Sequence, residues 1–290
     1  MIHTDKEEAQ KNAPSGRIYF EYIELYIMYK NKDKNLQRPF RKRIYIMKID
    51  IAHLKYTPKQ IKKKTRKISR KILAESENLD NGNFNSIAIR DVARMFELYD
   101  QYFFDRFFQD HHRQKIFFRL SERMTRSGGR IAYAQQTETY TISLSTTLIF
   151  QTFHDVTREV AVNGIVCHNR LEATMRVLEH EIIHLLEWVR FGSTSCSQPR
   201  FQDLSYSIFG HTEVTHQLVT QTERAIKKFN LQVGDKVSFE YNGKTHHGFI
   251  SRITKRATVM ANDPDGNYKD FQGNRYCKYY IPLSSLEAVK

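Results

Sequence analysis

The sequence predicts an α+β chain in which helices pack on a short antiparallel or mixed sheet and a small all-β barrel follows. Three patterns predict it. Between Asn169 and Phe191, Leu171, Met175, Leu178, Ile182, Leu185 and Val189 recur every three or four residues, which is the period of a helix with one buried side. The run Tyr140 to Ser145 alternates with the period of two that belongs to a strand. Past Leu231 the chain changes to short alternating runs separated by turn residues, the pattern of a small antiparallel barrel.

Taken in order, residues 1–46 show no periodicity, and Met47 is a possible alternative start. Lys59 to Lys71 gathers eight cations (Lys59, Lys62, Lys63, Lys64, Arg66, Lys67, Arg70 and Lys71) on a helix whose thin apolar stripe is Ile61, Thr65, Ile68 and Ile72. Turn formers concentrate at Asn78 to Asn85 and place a boundary there. The expected divisions are a basic extension (1–85), a helix-and-sheet domain (86–230) and the small barrel (231–290). In the middle division a helix begins at Ile87 and carries a broad apolar face. Strands are expected at Lys115 to Leu120, Arg130 to Gln135 and Tyr140 to Ser145, with Gly128-Gly129 as a turn. A helix is expected over Thr147 to Val160, the long helix over Asn169 to Phe191, and a further one from His211 to Asn230. The barrel strands are Lys236 to Tyr241, His246 to Ile253, Ala257 to Ala261 and Tyr276 to Ile281, with a turn at Asn242-Gly243.

Composition restricts function. A formal charge of +14 over 290 residues favours polyanionic partners such as nucleic acid. Residues 1–85 hold +10 of it. The three cysteines are too scattered for a disulfide framework or a Cys-x-x-Cys knuckle, so a reducing, cytoplasmic setting is expected. The apolar stretch Ile18 to Tyr29 is too short and contains Glu21 and Glu24, so no membrane span is expected.

The chemistry sits on the long helix. His180-Glu181-Ile182-Ile183-His184 puts two imidazoles four residues apart, on one side of a helix, where they can share a metal ion. Glu181 stands beside that ion, placed to take a proton from an activated water. A catalytic zinc takes three protein ligands and keeps one position open. A third donor is therefore sought downstream. His211, after Gly210, is favoured, with Glu213 and His216 as the other candidates.

Four segments in order resemble the SprT-like metallopeptidase family, which includes the Spartan proteases that cleave proteins crosslinked to DNA. They are Arg123 to Arg130, Thr141 to Ser145, His180 to His184 and Gly210-His211. The resemblance covers about Ile87 to Asn230. It implies a zincin-like fold, Zn2+ held by His180, His184 and His211, Glu181 as the catalytic carboxylate, and peptide-bond hydrolysis of protein substrates. The strand Tyr140 to Ser145 is expected at the sheet edge, where an extended substrate adds to it. The C-terminal barrel is similar to the Tudor or KOW type and stands where many bacterial members carry a cysteine zinc ribbon. The competing reading is a nucleic-acid-binding or transcription-associated module whose metal is structural, with the Lys59 to Lys71 run contacting phosphates.

Overall fold

The computed structural model describes residues 54–154 and 156–289. The readings for residues 1–46 and Met47 lie outside them. Helix α1 spans Pro58–Glu75. It starts in a capping box: the Thr57 hydroxyl accepts from the Gln60 N–H, the Gln60 side chain accepts from the Thr57 N–H, and Pro58 fills the first turn. Its buried residues are Ile61, Thr65, Ile68 and Ile72, the stripe read from the sequence. That stripe packs on α2, Ile89–Phe103, which leads into the short α3, Phe107–His111. Between α1 and α2, the turn-rich segment is built into the core, because Leu79 and Phe84 are fully buried.

Strands β1 (Ile116–Ser121), β2 (Gly129–Ala134) and β3 (Thr139–Ser145) form a mixed sheet in the order β1-β3-β2. β3 runs parallel to β1 and antiparallel to β2. It is therefore the central strand, not the edge. Its inward residues, Ile142 and Leu144, are fully buried, which is why this run alternated so clearly. The edge strand bordering the long helix is β2.

Helix α4, Thr146–Gln151, is shorter than expected: Thr152 is already extended and Phe153 has φ 63°, so the helix cannot reach Val160. Val160 instead begins a small hairpin of β4 (Val160–Val162) and β5 (Ile165–Cys167). Its turn is Asn163-Gly164, with φ of 55° and 75°, the left-handed pair that such a tight turn requires. Helix α5 spans Arg170–Phe191. The Asn169 side chain caps its start and Gly192, at φ 68°, its end.

A helix that the sequence reading missed, α6, spans Pro199–Phe209 and ends at Gly210, φ 73°. Gly210 closes this helix rather than opening the next. Residues after it run extended and pair with β4 through Asn163 N–H to Thr215 O (2.8 Å) and Gln217 N–H to Ala161 O (2.8 Å). Only Gln221–Phe229 is helical beyond them (α7).

The C-terminal strands are β6 (Lys236–Tyr241), β7 (Lys244–Ile253), β8 (Ala257–Asn262), β9 (Tyr268–Lys269), β10 (Arg275–Ile281) and β11 (Glu287–Ala288). They make one antiparallel sheet ordered β11-β6-β7-β8-β10-β9, which is open rather than a closed barrel among the described residues. It has its own core, in which Val237, Phe239, Ile250, Val259 and Ile281 meet Ala225 of α7. No described helix is long and apolar enough to cross a membrane.

Candidate metal centre

Helix α5 is held rigidly at its start. The guanidinium of Arg170, 5 % exposed, donates to the carbonyls of Asn83, Phe84, Phe150 and Thr152. About three turns on, the helix is buried on most sides by Ile182, Ile183, Leu185 and Leu186, and this leaves His180 and His184 on the side that lines a cleft of about 480 Å³. Their Nε2 atoms stand 3.1 Å apart. Two imidazole nitrogens bound to one tetrahedral zinc at 2.0–2.1 Å would lie roughly 3.3 Å apart. The pair thus has the spacing that a shared ion requires.

Cys196 completes the cluster: its Sγ and the ring nitrogens of His180 and His184 all lie within 4.8 Å of one another. It sits in the loop between α5 and α6, after the glycine that ends one helix and before the proline that begins the other. Two imidazoles and a thiol are a donor set that suits zinc in a catalytic site with one position left open.

Glu181 projects into the same cleft from the helix side facing β2 and is 4 % exposed. A side chain at Gly129 would put its Cβ 2.5 Å from Glu181 Oε1, so the strand can pass this close only because residue 129 has none. The Ile131 N–H bonds to the carboxylate. Burial pushes the Glu181 carboxyl up to about 8, against the smaller pull of that N–H. An acid–base residue works best with its pKa near the operating pH, and Glu181 is in that range.

A model of the SprT-like family matches residues 92–221. Residues 92–221 are a SprT-like domain. No curated protein and no solved structure matches the chain. The match takes in α2 through the first residue of α7 and omits α1 and the C-terminal sheet.

Within the SprT-like domain the three expected third ligands fall in different places. His211 does not join the cluster. Its side chain is fully buried and its Nε2 lies 2.9 Å from Glu179 Oε2. Glu179 also accepts from Tyr99 Oη at 2.6 Å and from Arg176 Nη1 at 2.7 Å. Burial would raise the Glu179 carboxyl, but Arg176, His211 and Tyr99 outweigh it and hold the group below its ordinary value. His211 is thus bound into a carboxylate network one residue before His180 and on another side of α5. Glu213 is exposed, and its carboxylate accepts from Thr215. His216 does line the cleft, but its Nε2 accepts from the Gly128 N–H at 3.0 Å and pins the start of β2. Neither His211 nor His216 is in a helix, since the helix expected from His211 to Asn230 begins only at Gln221.

The site's electrostatics favour neutral ligands. Burial pushes the His180 imidazole down to about 3, with the neighbouring His184, His211 and His216 adding to the shift. Burial likewise takes His184 down to about 4, against the opposing pull of Glu187. A metal ligand must present an unprotonated nitrogen, so burial removes a competitor for the ion. Cys196 had a legible signal: of the residues between Gly192 and Pro199, only it carries a metal-ligating side chain. That signal required knowing that two helices, rather than one long link, flank the segment.

Proposed function

We propose that the SprT-like domain is a zinc-dependent metallopeptidase, with His180, His184 and Cys196 holding the ion and Glu181 as the acid–base residue. The observation that carries this reading is the meeting of the three donors beside a buried carboxylate in one cleft. Bound there, zinc supplies Lewis-acid polarisation of the scissile carbonyl and lowers the pKa of a water to about 7. Glu181 takes the water's proton at its carboxylate and hands it to the departing amine. Substrate binding belongs to β2 rather than β3. Gly129, Arg130 and Ile131 line the cleft, and β2 is an outer strand, so an extended peptide can pair along it by backbone hydrogen bonds.

The decisive experiment measures bound zinc and casein cleavage for the wild type, Glu181→Gln, Cys196→Ala and His211→Ala. The expected result is cleavage lost with zinc kept for Glu181→Gln, zinc lost for Cys196→Ala, and zinc kept for His211→Ala. Full cleavage by Glu181→Gln would remove that residue from its role. Zinc kept by Cys196→Ala but lost by His211→Ala would make His211, not Cys196, the third ligand.

A second reading concerns partners. On α1, Lys59, Lys62, Lys63, Arg66, Lys67 and Arg70 are exposed along a helix whose opposite stripe is buried. This row suits the phosphates of a nucleic acid and would bring the peptidase to proteins bound there. Lys64 and Lys71 are drawn away from it. Lys64 Nζ lies 4.3 Å from the centre of the Tyr56 ring, and Lys71 lies 3.7 Å from Glu75.

A further inference from the structure

We propose that Thr194 is a positioning residue for the metal site: its hydroxyl fixes the tautomer of His184 and ties down the loop that presents Cys196. This inference rests on the metal reading above. His184 Nδ1 lies 2.6 Å from Thr194 Oγ1, and Thr194 Oγ1 lies 2.6 Å from Glu187 Oε2. The other oxygen, Glu187 Oε1, accepts from Arg200 Nε at 2.7 Å, and Arg200 Nη2 donates to the Ser193 carbonyl at 3.1 Å.

The protons in this chain can be counted. Glu187, with a fully buried side chain paired to a guanidinium, is a carboxylate and can only accept. The single hydrogen of the Thr194 hydroxyl therefore goes to Glu187. Its oxygen is left as an acceptor toward His184, so His184 Nδ1 must carry the hydrogen. A neutral imidazole has one protonated nitrogen. Its Nε2, the atom facing His180, is then a bare lone pair ready for an ion. A fixed hydrogen-bond partner on the far nitrogen of a ligating histidine orients the ring and raises its basicity.

The same contacts organise the loop. Glu187 is on α5, Arg200 in the first turn of α6, and Thr194 two residues before Cys196. Arg200 also packs its guanidinium 4.1 Å from the centre of the Phe191 ring, at the end of α5. One buried carboxylate thus joins both helices that flank the loop to the loop itself, and the histidine and the thiol are set by a common support.

The test uses the full chain, stripped of metal, and measures zinc affinity by competition with a chromophoric chelator for the wild type, Thr194→Val, Thr194→Ser and His184→Ala. Thr194→Val should bind zinc about 10- to 100-fold more weakly, and Thr194→Ser should return close to the wild type, since it keeps the hydroxyl. The ¹⁵N shifts of the His184 ring in the metal-free wild type should show Nδ1 protonated, a readout that does not depend on the variants folding. Equal affinity for Thr194→Val and the wild type overturns the proposal, as does a Thr194→Ser as weak as Thr194→Val, or a His184 protonated on Nε2. If the wild type binds zinc and the valine variant binds it equally well, only the role of Thr194 falls. A wild type that takes up no zinc removes the metal reading itself.

Discussion

Gly129 shows how one missing side chain shapes the site. With a methyl group there, either β2 moves off α5 or the Glu181 carboxylate turns away. Gly129→Ala should therefore reduce kcat at least tenfold while zinc content stays near one per chain; an unchanged kcat would show that the close approach is not required. Glu179 is the converse case, a buried carboxylate that serves the fold. Glu179→Gln leaves Arg176 without its partner, and breaking a buried pair costs about 3–5 kcal/mol. Denaturant titration should show that loss, while zinc binding by the protein that remains folded is retained. His112 provides a pH test away from the candidate metal site. Burial pushes its imidazole down to about 4, with His111, Lys115 and Arg190 adding to the shift. A depressed imidazole favours folding above about pH 6.5, where both states are neutral, and that stability is lost as pH falls from there toward 4, because the unfolded chain takes the proton first. His112→Gln should lower the slope of stability against pH in that window by up to roughly one proton.

At the scale of elements, α1 has two independent sides. Its buried side was readable from four residues, because a stripe three and four residues apart among lysines has one place to go. Ile68→Ala should cost about 2–5 kcal/mol, measured by denaturant unfolding. Its exposed side is tested by salt. Neutralising Lys62, Lys63, Arg66 and Arg70 should flatten the dependence of DNA affinity on salt by roughly three to four units of slope; no change in slope would make the row ordinary solvated surface. The β4–β5 hairpin has a local signal, Asn163-Gly164 between apolar runs, which overrides the helix expected to Val160. The α6 helix was harder to read. Pro199 at its start and Gly210 at its end are the ordinary helix punctuation, but a glycine between two runs can end one or open the next, and the place of His211 depends on which.

For the molecule as a whole, among the described residues, the C-terminal sheet has a core of its own, apart from the one that buries α5. The C-terminal sheet closes over its own apolar cluster, and the exposed pair Lys255–Glu122, at 2.8 Å, ties β7–β8 to the segment after β1. Exposed pairs contribute little. Ile250→Ala should therefore weaken the sheet by about 2–5 kcal/mol while leaving zinc content and cleavage by the SprT-like domain unchanged, which mass spectrometry and a casein assay would check.

What the sequence alone determined was everything that depends on neighbours along one element. The helical period placed His180 and His184 on one side of α5 and Glu181 beside them, and it placed the stripe of α1 and the alternation of β3. Which strand lies at the edge, which ring meets Glu179 and which donor reaches the histidine pair were decided only in three dimensions. Those choices depend on where the chain re-enters after a loop, and a stretch that reads as a strand has the same periodicity in the middle of a sheet as at its border. The sequence marks Cys196 as the one ligating side chain between Gly192 and Pro199, but only the packing of α6 back against α5 brings it to the histidine pair.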